Sequence, residues 1–184
     1  MKSSDKIAIV DLDGTLVFED NAIKNASKIV FGKEISRNEL RKMSREVKSK
    51  IYSIAQKNWQ NYIKKEKVVN KVNELKNKGF IVIILTARKE DVKEETKKLL
   101  RSIGVNYDKL IMRSEEEMKL DDEVWKQQIL DNLINNNTKE IVFFEDKPEN
   151  IEFFIKKVNQ LKEKFTDLKD KYFLVVGIDL FKKI

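Results

Sequence analysis

The stretch Lys6-Ile-Ala-Ile-Val-Asp-Leu-Asp-Gly-Thr-Leu16 sets the reading of the whole chain. Its apolar start reads as a buried strand ending at Asp11. Just beyond, Asp11 and Asp13 stand two residues apart and Gly14 follows. Two carboxylates so placed face one small volume, and they repel unless a cation sits between them or one is protonated. A hard divalent ion with oxygen ligands suits them, Mg²⁺ above all. Gly14 permits the sharp turn that carries the loop over such a site.

Further apolar runs follow, separated by helical patterns. Phe80–Leu85 reads as a second strand, introduced by Gly79 after the helical stretch Val68–Lys78. Ile141–Phe144 is a third, after a helix over Asp122–Ile134 and an Asn-rich turn at 135–137, and Tyr172–Val176 is a fourth. A weaker strand at Leu110–Met112 follows a helix over Lys89–Ile103 that closes at Gly104. Continuous apolar strands alternating with amphipathic helices predict an α/β fold, a doubly wound parallel sheet covered on both faces. Residues 21–67 break the rhythm. They hold no convincing strand, and Ile51, Ile54, Ala55, Trp59, Tyr62 and Ile63 fall at helical spacing. This predicts two or three helices over the sheet's C-terminal edge, where open α/β sheets bind ligands. The expected organisation is a core of 1–20 and 68–184 with a small helical cap insertion at 21–67.

Composition narrows the chemistry. Among 184 residues there is no His and no Cys, which removes disulfides, thiolate nucleophiles, imidazole-bound zinc and Ser–His triads. Carboxylates, lysine, hydroxyls and an oxygen-liganded metal remain. The start is polar, and no apolar stretch approaches the roughly 18 residues of a membrane span, so a cytoplasmic protein without a membrane partner is expected. The net charge of +7 is uneven. Residues 21–67 hold thirteen basic and four acidic side chains, +9 in one segment. Such a patch either attracts a polyanion or is a solvated helical face.

Asp11-Leu-Asp-Gly-Thr-Leu16 resembles the first motif of the haloacid dehalogenase superfamily of aspartate-nucleophile phosphohydrolases. Leu85-Thr-Ala-Arg88 resembles its second motif, Lys126 fits the third, and Phe144-Glu-Asp-Lys-Pro-Glu-Asn150 resembles the fourth. The resemblance implies a Rossmann-like fold and a Mg²⁺-dependent phosphatase. By it, Asp11 forms an aspartyl-phosphate and Asp13 serves as acid and base. The metal falls to Asp11, the Asp13 carbonyl and Asp146, with Glu145 as a further metal-site residue. Thr86 and Lys126 bind the phosphoryl oxygens.

The order of Thr86-Ala-Arg88, Glu95-Thr96, Gly104–Arg113, Asp122–Leu130 and Glu145–Asn150 is similar to the 3′-phosphatase domain of phage-type polynucleotide kinase-phosphatases. That resemblance implies a nucleic-acid 3′ end as substrate, with Arg88 and Arg113 binding near its phosphate. Arg113 also reads as a salt-bridge residue. No GxxxxGK[ST] occurs, so the expectation is a phosphatase without a kinase half. The insertion leaves two further readings open, a phosphatase of mononucleotides or small metabolites and a non-catalytic nucleic-acid-binding module. Trp59, Tyr52 and Tyr62 accordingly either stack on bases or pack in the core.

Overall fold

Side chains alternate across a strand, and the apolar runs of this chain fill both sides of one sheet. The computed structural model describes residues 6–134, 138, 140–164, 172–177 and 180–183. Its strands are β1 (Lys6–Val10), β2 (Val17–Phe18), β3 (Ile63–Lys64), β4 (Ile81–Lys89), β5 (Lys109–Arg113), β6 (Glu140–Phe144), β7 (Tyr172–Gly177) and β8 (Leu180–Lys183). Its helices are α1 (Asp20–Phe31), α2 (Arg37–Arg41), α3 (Arg45–Lys57), α4 (Glu66–Asn77), α5 (Lys93–Ser102), α6 (Asp122–Leu133) and α7 (Pro148–Lys164). The Asn-rich turn expected at 135–137 lies outside the described residues.

The sheet runs β5-β4-β1-β6-β7-β8, and every pairing is parallel except β7 with β8. Ala8, Val10, Val82, Ile84, Val142 and Phe144 point to one face and meet the apolar sides of α1, α3, α4 and α5. Ile7, Ile9, Ile83, Leu85, Ile141 and Phe143 point to the other and meet α6 and α7. The doubly wound α/β fold read from the sequence is the observed one. From β1 the chain leaves towards β4, and from the adjacent β6 it leaves towards β7. Between the C-terminal ends of β1 and β6 lies the crevice where open α/β sheets bind ligands.

Several boundaries differ from the sequence reading. β4 runs on to Lys89, because Lys89 still pairs with Arg113 across an irregularity that begins after Leu85. The helix expected from Lys89 therefore starts at Lys93, after a 3₁₀ turn at Glu90–Val92. The sheet also gains β8, which the sequence reading did not separate from the tail. Only two residues join Gly177 to Leu180, too few for a parallel crossover, so β8 lies antiparallel at the edge.

Residues 21–67 contain α1, α2 and α3, the last two opened by serine caps. Ser36 and Glu39 form a reciprocal capping box, and Ser44 accepts from the Val47 amide. The segment also holds a short strand where none was expected. β3 pairs antiparallel with β2, Val17 opposite Lys64 and Phe18 opposite Ile63. Ile51, Ala55 and Tyr62 share one apolar cluster with β1, β4, α4 and α5. Tyr52 and Trp59, both partly exposed, pack against the same cluster.

Gly14 has φ +86°, and a Cβ there would lie 2.2 Å from Asp146 Oδ2. Gly79, at φ +84°, has nothing within 4 Å of that position. Gly14→Ala combines left-handed strain with a clash and is expected to cost about 3 kcal/mol. Gly79→Ala carries strain alone and is expected to cost about 1 kcal/mol. Urea unfolding of the two variants checks the difference.

Candidate active site

The ends of β1 and β6 deliver carboxylates to one place. The Asp11 amide donates to the Phe144 carbonyl at 2.9 Å, which ties the loop after β1 to the last residue of β6. Asp11, Glu145 and Asp146 thereby bring carboxylate oxygens within 4.8 Å of one another. Lys126, from the first turns of α6, is 2% exposed and lies between two of them. Its Nζ donates to Asp11 Oδ1 and to Glu145 Oε2, both at 2.7 Å. Burial opposes the ammonium charge, but the two carboxylates outweigh it and raise the lysine's pKa.

Glu145 is saturated. Its Oε2 also accepts from Asn150 Nδ2 at 2.8 Å, and its Oε1 accepts the amides of Asp146 and Lys147 at 3.1 and 3.2 Å. Asp146 differs, because its Oδ1 is buried and has no hydrogen-bond partner among the described residues. A buried acceptor left open is costly unless a cation or water meets it.

β4 supplies the next layer. Its period of two puts Thr86 and Arg88 on one face, and the Arg88 amide donates to Thr86 Oγ1 at 3.3 Å. The buried Arg88 guanidinium grips Asp13 with two bonds, Nε to Oδ2 at 2.8 Å and Nη2 to Oδ1 at 2.7 Å. Its third nitrogen meets Thr96 Oγ1 at 3.3 Å, and the Tyr62 ring lies 4.7 Å beneath it. A planar fork held on every side fixes the carboxylate it binds.

Arg113 lies apart from this group. It ends β5 and donates to the carbonyls of Glu117 and Leu120 and to the Asp122 carboxylate, with the Trp125 ring 5.7 Å away. Those contacts anchor the loop before α6 and the start of the helix that carries Lys126. Of the sequence-derived residues, Asp11, Asp13, Thr86, Arg88, Lys126, Glu145 and Asp146 therefore come together, and Arg113 braces one of their supports.

Two residues that the sequence reading did not single out join them. Glu19, buried just before α1, pairs with Arg37 of α2 at 2.5 Å. Arg37 Nη2 also reaches Asp146 Oδ2 at 3.2 Å, and its side chain keeps 22% exposure. Neither residue has a local signature. Glu19 is one of five acids in residues 1–20, and Arg37 is one of the thirteen basic residues of the insertion. Only the fold makes them neighbours.

Among the described residues, five carboxylates (Asp11, Asp13, Glu19, Glu145, Asp146) are paired with three cations (Arg37, Arg88, Lys126). The excess of two negative charges and the open Asp146 oxygen fit a hard divalent cation. Without one, protons relieve the crowding. Burial first, then Glu145, push Asp11 up to about 7. Burial first, then Asp13, push Glu19 up to about 8.

The family described as polynucleotide kinase PNKP phosphatase domain matches residues 45–157, well over half of the chain. That span includes Thr86, Arg88, Lys126, Glu145 and Asp146, and the Asp11 loop precedes it. No curated protein sequence matches the chain. Among solved structures, a chain of a Pnkp1/Rnl/Hen1 complex is similar at TM-score 0.57 and 20% identity, over 86% of this chain and 45% of that one. This chain thus spans less than half of that relative's length. A haloacid dehalogenase-like hydrolase from Streptococcus pneumoniae matches at TM-score 0.57 and 18% identity, over 83% of this chain and 81% of its own. A class C acid phosphatase from Bacillus anthracis matches at TM-score 0.51 and 14% identity, over 97% of this chain and 69% of its own. At such identities these likenesses bear on the fold.

A carboxyl whose pKa is higher folded than unfolded keeps extra protons in the folded state between the two values, so stability falls as pH rises through that window. For Asp11 and Glu19 the window runs from the ordinary carboxyl values of 3.8 and 4.5 up to about 7 and about 8. Thermal melts in EDTA are therefore expected to show Tm falling from pH 5 to pH 8. Glu19→Gln is expected to remove part of that slope, and an unchanged slope would count against the crowded, metal-free site.

Proposed function

The chain belongs to the polynucleotide kinase PNKP phosphatase domain family and is a phosphatase, and we propose that it removes phosphate from the 3′ ends of nucleic acids with Mg²⁺ bound at Asp11 and Asp146. The observation that carries this reading is the pairing of two differently held carboxylates. Asp11 sits on the buried Lys126 at 2.7 Å, and Asp13 lies in the two-pronged grip of Arg88. Two carboxylates in such unlike surroundings suit two unlike tasks, a nucleophile and a proton carrier.

In this reading Asp11 attacks phosphorus, the bond to the 3′ oxygen breaks, and Asp13 gives its proton to that oxygen. Water then attacks the aspartyl-phosphate and yields its proton to Asp13. Inorganic phosphate leaves and Asp11 is restored. Lys126 and Thr86 face the phosphoryl oxygens and stabilise the charge that builds there. Arg88 orients Asp13, and Arg113 sets Lys126 by bracing the start of α6. Asp11, Asp146 and the Asp13 carbonyl would hold the metal. Glu145, with both oxygens spent, holds Lys126 and the loop behind it. When bound, Mg²⁺ screens the negative charge between nucleophile and phosphate. Arg37 is the most exposed of the three paired cations and stands where a phosphate would approach.

Residues 21–67 act in this proposal as a cap whose positive charge draws the polyanion. The same segment supports a second reading. It reaches across the site through Arg37, so a lid over a mononucleotide or small phosphate ester fits as well.

Initial rates with Mg²⁺ separate the two, measured on a 3′-phosphorylated oligonucleotide beside its 5′-phosphorylated counterpart, a 3′-mononucleotide and a 5′-mononucleotide. The 3′-phosphorylated oligonucleotide is expected to be preferred, with a rate that falls as salt rises and vanishes in EDTA. A preference for mononucleotides replaces the first reading with the second. Asp11→Asn is expected to abolish turnover, and Asp13→Asn to lower it about 10²- to 10⁴-fold.

A further inference from the structure

Among the exposed large apolar side chains of the described residues, two stand side by side. Phe18, on β2, is 48% exposed, and its cross-strand partner Ile63, on β3, is 50% exposed. Their neighbours Val17 and Tyr62 turn inward. The alternation of the two strands thus presents Phe18 and Ile63 together on the outer side of the ribbon.

This ledge is joined to the candidate site by a short chain of contacts. Asp146 packs so closely on Gly14 that no Cβ fits between them. The Gly14 carbonyl accepts from Lys65 Nζ, and that same ammonium lies 4.4 Å from the centre of the Phe18 ring. The backbone repeats the link, because the Gly14 amide donates to the Val17 carbonyl at 3.0 Å and the Lys65 amide donates to the Leu16 carbonyl at 2.8 Å. Phe18 therefore has a fixed position relative to the carboxylates, one short loop away, beside the basic run Lys64-Lys65 and Lys67.

We infer that Phe18 and Ile63 form a subsite for the base of the terminal nucleotide, against which that base stacks while its 3′-phosphate lies among Asp11, Asp146 and Lys126. The inference rests on the 3′-end reading above and adds how that end is recognised. Charge complementarity selects the occupant. An apolar ledge beside Lys65 and Lys67, joined by contacts to the candidate phosphate site, suits a nucleotide, which carries a flat apolar face and an anionic phosphate. Tyr62 is buried in the core, whereas the Phe18 ring is open beside the loop that carries Gly14. Stacking on an aromatic ring tolerates any base, so the ledge adds affinity for nucleic acid without choosing sequence.

Fluorescence of 2-aminopurine at the 3′-terminal position tests the inference directly, with Asp11→Asn used to prevent turnover. Quenching is expected on binding, is lost when Phe18→Ala is added, and is retained with Phe18→Tyr. In the otherwise unaltered enzyme, Phe18→Ala is expected to raise KM for the 3′-phosphorylated oligonucleotide about tenfold and to leave p-nitrophenyl phosphate and a 3′-phosphorylated abasic terminus within about twofold. Equal losses on base-bearing and abasic ends, or quenching indifferent to Phe18→Ala, overturn the subsite while the 3′-end reading stands. Failure of the unaltered enzyme on 3′-phosphorylated oligonucleotides removes both. A dimer that Phe18→Ala converts to monomer overturns the subsite in favour of self-association through the ledge.

Discussion

The ammonium of Lys126 is the contact on which the rest of the site depends. It is held between Asp11 and Glu145 at 2.7 Å from each, with almost no solvent to share its charge. Burying any one of these three charges alone is prohibitive, and together they are tolerable only in good geometry with the remaining lone pairs satisfied. Glu145 meets that condition through Asn150 and two backbone amides. Among the described residues Asp11 accepts from Lys126 alone through its side chain, and in the proposed reaction it is the carboxylate left to react. The same cation that makes its burial possible leaves it beside Asp146, whose own oxygen waits for a partner.

Parallel pairing is what makes this arrangement possible. β1 and β6 pair in register from Lys6 with Glu140 to Val10 with Phe144, so the residues that follow each strand emerge at the same level. β4, on the other side of β1, runs beyond that level to Lys89 and so projects Arg88 over Asp13. One face of the sheet therefore supplies acids from two strand ends, and a third strand overhangs them with a guanidinium. α6 then inserts Lys126 from the opposite layer. No single element contains the site: the ends of β1 and β6 bring two acids each, and β4 and α6 bring one cation each.

This geometry explains what the sequence made legible. The strands at Lys6, Phe80, Ile141 and Tyr172 are continuous apolar runs and could be read from the order of residues, with a weaker one at Leu110. Asp11, Asp13, Glu145 and Asp146 could be read because they sit directly after such strands. Arg37 and Glu19 could not, since an ion pair between residues eighteen apart, closed on Asp146 more than a hundred residues later, leaves no periodicity. Arg113 was legible as important but not as to its task. It read both as a phosphate ligand and as a salt-bridge residue, and its surroundings give it two carbonyls and the carboxylate of the first residue of a helix. β3 escaped because two residues are too few to show alternation, and its partner β2 is equally short.

The insertion's charge takes on a different meaning in this light. A surplus of lysine and arginine in a sequence says only that a segment avoids the core, yet here the basic residues divide by location. Lys24, Lys28, Lys33 and Lys57 lie exposed on the insertion's outer surface, where their charge acts through the long-range field. Arg37 and Lys65 turn inward, and each meets an atom of the two loops that close the site, Asp146 in one case and the Gly14 carbonyl in the other. An attractive field and a pair of inward contacts come from one stretch of chain. In the proposed function the same segment both draws the anion and touches the loops that receive it.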